Sequence, residues 1–276
     1  ERNVYVDIYA YKLCLHLRCG VNLMPIQQMM LGSGGGASDI TWSNLVLYLD
    51  AGKYNSYSGS GTAWNDMTTG NHHATLIHSP TYSSTSGGGS FTFDGSNDYA
   101  TIPDATDFIF GTGAFTEEAW FKRTSSSGYE IVLERGDSSS WGGLRMDELY
   151  PNPTHYTDSS SGITGSASPS ISTSQTSYDV TTDWVHIAIK KYNNASIRFY
   201  RNGTALTETT YIGSANQGWL PQGTSVSSSY NLHIAGADSS KRFTGEIAII
   251  RVYNTGLSDS QITQHYNAEK ARFGHS

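Results

Sequence analysis

The chain has 276 residues, with 17 Lys and Arg against 24 Asp and Glu, a formal charge of −7 and only 15% charged residues. That balance argues against nucleic acid, which is held by clustered cations that neutralise phosphates; the closest approaches here are the doublets Lys190–Lys191 and Lys241–Arg242. Hydrophobic residues, at 37%, suffice for a core, but no run of about 18 apolar residues could span a membrane.

Residues 1–23 are rich in Val, Leu and Tyr and hold both cysteines, Cys14 and Cys19. Asp7, Lys12, His16 and Arg18 interrupt their apolar stretch, which therefore fails as a signal peptide. Met24 opens a second segment that ends in the flexible run Gly32-Ser33-Gly34-Gly35-Gly36. Residues 1–38 are accordingly expected to be an arm and linker. The first 23 residues are either an addition ahead of Met24 or a genuine strand that docks on a neighbour and makes the chain a homo-oligomer. Residues 39–276 form the folded body, and nothing after Cys19 can build a disulfide, so packing alone must hold it.

The body reads as short β runs between turn clusters, the pattern of an antiparallel sandwich. Residues 44–50 (NLVLYLD) are nearly all apolar, as in a buried strand. Runs 90–93 and 98–102 flank the turn composition Asp94-Gly95-Ser96-Asn97. In 115–123, Phe115, Ala119 and Phe121 share one face, with Trp120 and Lys122 on the other. Residues 154–182 are mostly Ser, Thr, Gly and Asp, too long for a passive connection, and form either a functional loop or a pair of weak edge strands. Val185, Ile187 and Ile189 alternate with Trp184, His186 and Lys190, the mark of a half-buried strand. Asn202-Gly203 gives a hairpin between 197–201 and a strand from Ala205. Leu232 and Ile234 mark another strand, and 245–253 (GEIAIIRVY) a long buried one. Ser258 and Gln261 stand at capping-box spacing and open one helix, with Ile262, Tyr266 and Phe273 on one face, expected across the end of the sandwich.

Six stretches in this order, residues 45–76, 91–103, 115–123, 183–190, 197–206 and 243–268, resemble the laminin-G-like branch of the concanavalin A-like lectin/glucanase superfamily, especially members in tailed-phage virion proteins. The resemblance implies a jelly-roll sandwich of two antiparallel sheets, with glycan binding, adhesion and virion decoration as family roles. Relatives often carry adjacent acids after Gly-x-Ile in the last long strand, where this chain has Ala248 and Ile249. A metal site using those carboxylates is thereby put in doubt.

Glycoside hydrolysis by retention needs two carboxylates about 5 Å apart. The only comparable pair is Glu130 and Glu134, expected on one strand face with Val132 between them, but about 13 Å apart along the backbone. That spacing argues against an enzyme. Asp94, Asn97 and Asp98 offer hard oxygens to calcium, although three side chains fall short of six to eight ligands and suit hydrogen bonds to their own turn. No other cofactor is expected. His72, His73 and His78 read as loop histidines. Trp42, Trp64, Trp120 and Trp184 lie in or beside strand-like runs and read as core. Trp141, Trp219, Tyr150 and Tyr156 sit in Gly-, Ser- and Pro-rich segments and are the candidates for stacking on sugar rings. The resulting expectation is a non-catalytic adhesion module, on a virion or outside the cell, whose partners are a surface glycan or other virion subunits. A purely structural decoration protein and a divergent glycoside hydrolase are the alternatives.

Overall fold

The computed structural model describes residues 40–110, 113–124, 129–136, 141–149, 152–156, 170–173, 183–191, 197–206, 208–212, 231–236 and 242–276. Residues 40–276 form one compact unit. The expected arm, its cysteines and any oligomer contact through it lie outside the described residues.

The strands in chain order are β1 (Leu45–Asp50), β2 (Ala63–Trp64), β3 (Ala74–Ile77), β4 (Thr81–Ser83), β5 (Ser90–Asp94), β6 (Tyr99–Ile102), β7 (Phe115–Arg123), β8 (Tyr129–Gly136) and β9 (Trp141–Leu149). They continue as β10 (Asn152–Tyr156), β11 (Ser170–Thr173), β12 (Val185–Lys191), β13 (Ile197–Arg201), β14 (Thr204–Ala205), β15 (Glu208–Ile212), β16 (Leu232–Ile234) and β17 (Thr244–Tyr253). The first sheet runs β14-β13-β12-β7-β17-β5-β4, with β1 also paired to β17. The second runs β15-β11-β10-β9-β8-β16-β6-β3-β2. The expected two-sheet antiparallel sandwich is the observed fold.

Alternation builds the core between the sheets. Phe115, Ala119, Phe121, Val185, Ile187, Ile189, Ile247, Ile250 and Val252 of the first sheet meet Leu76, Ala100, Ile102, Leu133, Leu232 and Ile234 of the second. Each large apolar side chain so buried stabilises the fold by about 1.5–3 kcal/mol, which lets the sandwich hold without a covalent link. The turn after Asp94 joins β5 of the first sheet to β6 of the second, so it is a corner between layers. Asn202 and Gly203 have φ of 50° and 72°, the two left-handed residues of a type I′ turn between β13 and β14. Part of the Ser/Thr-rich stretch 154–182 does form strands, β10 and β11, but β15 lies outside them, so neither is the sheet edge.

Two expectations change on the outer face of the first sheet. The helix α1 (Asp259–Glu269) has its capping box, Ser258 Oγ accepting from the Gln261 N–H and the Gln261 side chain accepting from the Ser258 N–H. It lies against the sheet face, not across the sandwich end. Ile262 packs with Ala188, Tyr200 and Tyr253, and the Trp120 ring stacks on Phe273 at 4.0 Å and on Tyr266 at 5.8 Å. For the same reason β12 is buried on both faces rather than one. Trp64 and Trp120 are fully buried, Trp184 is buried and Trp42 packs partly buried beside Tyr48, as core residues.

Candidate functional site

The outward face of the second sheet carries a transverse row of polar residues. In register across neighbouring strands stand Thr75 on β3, Thr101 on β6, His233 on β16, Glu134 on β8 and Arg145 on β9. The residues that alternate with them, Leu76, Ala100, Ile234 and Leu133, point into the core, which fixes the side on which the row lies. Four inter-strand steps of about 4.8 Å make the row roughly 19 Å long. Thr75 is exposed, Thr101 and His233 are half-buried and Glu134 is buried, so the row descends from solvent into a sheltered polar floor. Within it the Thr101 hydroxyl is buried and has no hydrogen-bond partner among the described residues, and an unmet buried hydroxyl is costly unless something bonds to it.

Beside the row, Tyr99 is half-buried on the same face, two residues from Thr101 on β6. The Arg242 guanidinium lies 4.7 Å from its ring centroid, and the His233 and His78 rings lie at 5.9 and 6.3 Å. An aromatic ring, two imidazoles and a guanidinium next to hydroxyls and a carboxylate can stack on an apolar ring face while hydrogen-bonding its polar edge.

Glu130 and Glu134 do not share a face, contrary to the strict alternation assumed from sequence. The β8–β9 register shifts between Ile131 and Leu133, and this bulge inserts one extra residue into the alternation. Glu130 consequently points across the sandwich, where the Arg123 Nε–H of β7 donates to its Oε2 at 2.8 Å with both side chains buried. Burial pushes the Glu130 carboxyl up, and Arg123 opposes that shift. The two carboxylates are on opposite sides of a sheet and cannot act on one glycosidic bond.

The aromatic candidates are placed only in part. Trp141 opens β9 opposite Gly136, and Tyr156 closes β10 opposite Ser170, so both belong to strands and not to loops. A ladder needs only backbone groups, so a Gly- and Ser-rich segment can pair when its neighbours supply partners. The side chains of Trp141 and Tyr156, and all of Tyr150 and Trp219, lie outside the described residues.

Of the calcium candidates, Asp94 holds the turn in which all three stand. Asp94 Oδ1 accepts from the N–H groups of Ser96, Asn97 and Asp98 at 2.8, 3.1 and 3.3 Å, and these bonds, that from Ser96 foremost, lower its carboxyl. Burial raises the Asp98 carboxyl instead. Among the described residues no group of three or more His, Cys, Asp or Glu could hold a metal ion. Ala248 and Ile249 are fully buried beside Trp120 and Phe273. Of the histidines, His72 Nε2 lies 2.8 Å from Asp107 Oδ2 and His73 Nδ1 accepts from the Asp66 N–H.

A second cluster of ionisable groups is structural. Under α1, the buried Glu118 accepts from Arg251 Nη1 at 3.1 Å and from His265 Nδ1 at 2.9 Å. Because His265 Nε2 accepts the Thr41 N–H at 3.0 Å, its proton sits on Nδ1. Burial alone would raise the Glu118 carboxyl, yet His265, Arg251 and His186 bring it down to about 2. Burial lowers His186 to about 4, against the pull of Glu118. The helix closes this cluster from solvent.

Sequence reasoning marked His233 only by its neighbours Leu232 and Ile234, and missed Thr75, Tyr99, Thr101 and Arg242. The signal was the alternation Tyr-Ala-Thr-Ile at 99–102, which sets two polar residues opposite a core pair.

The model of the concanavalin A-like lectin/glucanases superfamily matches residues 94–263. No curated protein matches in sequence. Among solved structures, the binding domain of Paraclostridial Mosquitocidal Protein 1 superposes with a TM-score of 0.62 and 14% identity, over 84% of this chain and 55% of that one. Domain 4 of AbnA, a GH43 extracellular arabinanase from Geobacillus stearothermophilus solved with arabinotriose, gives 0.60 and 15%, over 81% of this chain and 98% of that one. Trypanosoma rangeli sialidase, solved with the inhibitor DANA, gives 0.57 and 15%, over 82% and 33%. The chain thus spans about half of the first of these and a third of the last. At these identities the likeness is one of fold. The family match, in contrast, covers more than half of the sequence on both sheets, and the chain belongs to the concanavalin A-like lectin/glucanases superfamily.

Proposed function

We propose that this chain is a non-catalytic glycan-binding module whose binding surface is the outward face of the second sheet. The observation that carries the reading is the row Thr75–Thr101–His233–Glu134 beside Tyr99, a sheltered floor of hydroxyl, imidazole and carboxylate next to an aromatic ring. The length of such a row suits an extended oligosaccharide better than a single small molecule. The match to nearly all of AbnA domain 4, a structure with bound arabinotriose, supports a sugar ligand. The separation of Glu130 and Glu134 to opposite faces supports binding without hydrolysis. The low charge and Ser-, Thr- and Gly-rich composition support a place on a virion or outside the cell, with residues 1–38 as tether and oligomerising arm.

A glycan array tests it. Wild type binds at least one glycan class, and Thr101→Val and His233→Ala weaken that binding. An empty array overturns the reading and favours a structural decoration protein.

A further inference from the structure

A cleft of about 520 Å³ opens where the connection between β6 and β7 meets the turn after β17. Its lining comes from residues within 106–110 and 113–114 on one side and from Asn254 and Thr255 on the other. The volume falls within the usual range for small-molecule sites.

The walls are built rather than loose. Phe108 is buried beneath the His72 ring, 4.8 Å away, and Phe110 stacks on Phe115 at 5.3 Å. The Gly113 N–H donates to the Phe110 carbonyl at 2.7 Å. Opposite, the Thr116 hydroxyl donates to the Thr255 carbonyl and accepts the Leu257 N–H, both at 2.9 Å, while the Asn254 N–H donates to the Asn44 carbonyl. A site so fixed costs a ligand little reorganisation.

Its chemistry is that of a sugar site. The side chains of Thr106, Asn254 and Thr255 make no hydrogen bond within the described residues, which leaves two hydroxyls and an amide to offer. His72 orients the Asp107 carboxylate through Oδ2 at 2.8 Å, and Oδ1 is left as an acceptor. Ile109 and Phe110, both half-buried, supply the apolar floor. Asp107 is the only charged residue in the lining among the described residues, so an acidic sugar is repelled. One carboxylate is also too few for calcium.

We propose that this cleft is a second glycan site, specific for a neutral sugar ring, with Phe110 beneath the ring and Asp107, Asn254 and Thr255 bonding its hydroxyls. It shares the ligand class of the sheet face but not its residues.

The test is a titration of the ¹⁵N-labelled chain with the methyl glycosides of glucose, galactose and mannose, and separately with sialic acid, read at the backbone amides of Gly113 and Thr255. At least one neutral glycoside shifts both amides saturably, and sialic acid shifts neither. Asn254→Ala, at an exposed position, weakens the interaction by at least about tenfold, and Tyr54→Ala, an exposed tyrosine outside both the cleft and the sheet-face row, leaves it unchanged. Flat amides with every neutral glycoside, or an Asn254→Ala chain that titrates like wild type, overturn the site. If the array binding persists and falls with Thr101→Val while these amides stay flat, the cleft fails and the sheet face stands.

Discussion

Glu130 and Glu134 occupy one strand four residues apart, yet one bonds Arg123 across the core and the other stands opposite His233 on the outer face. A single bulge separates their roles. Glu130→Gln removes the carboxylate charge that faces the buried Arg123 guanidinium and should cost about 3–5 kcal/mol. The double variant Glu130→Leu with Arg123→Met should recover most of that loss, because it removes both charges from the interior. Urea midpoints of the three chains check this; equal midpoints for Glu130→Gln and wild type would deny the pair any role.

Stability should fall as the pH drops below about 6.5. His186 has its folded value depressed to about 4, so the unfolded chain binds its proton first, and the stability tied to the neutral ring is full above about 6.5 and lost toward 4. Glu118, depressed to about 2, adds a second loss between about 4.5 and 2. His186→Phe should flatten the upper part of the curve and leave the lower part. Denaturant midpoints measured from pH 7 to 3 decide it, and a slope unchanged in His186→Phe would place the titrating group elsewhere.

The helix is the cover of the first sheet, so its contacts should matter to the whole sandwich. Phe273→Ala should cost about 3–5 kcal/mol by emptying the space against Trp120. Ser258→Ala should cost about 1 kcal/mol by removing the cap. Both are read from urea curves, and a Phe273→Ala midpoint equal to wild type would contradict the stacked geometry.

Asp94 should behave as a turn residue. Asp94→Ala should lose about 1 kcal/mol with the three N–H groups it serves, and added calcium should not raise the melting temperature of wild type. A calcium-dependent rise that disappears in Asp94→Ala would restore the metal reading.

The strands β7 and β12 were legible because alternation set one apolar face, β17 because its run is apolar almost throughout, and the Asn202-Gly203 hairpin because its backbone needs left-handed residues. The bulge in β8 was not legible: nothing in Glu-Ile-Val-Leu-Glu separates a regular strand from one with an extra residue, and the register is set by β9 and β16. The burial of His186 and Glu118 was hidden for a similar reason. Alternation marked His186 as outward, and only the placement of α1 on that face encloses it and Glu118. The polar row could not be read along the chain, since its members come from five strands between residues 75 and 233.

The most direct measurement is the affinity of the strongest array ligand for wild type, Tyr99→Ala and Tyr54→Ala, the last changing an exposed tyrosine outside the row. Tyr99→Ala should bind at least about tenfold more weakly, a loss of about 1.4 kcal/mol, with Tyr54→Ala unchanged. Undiminished affinity in Tyr99→Ala would contradict a binding surface on the second sheet.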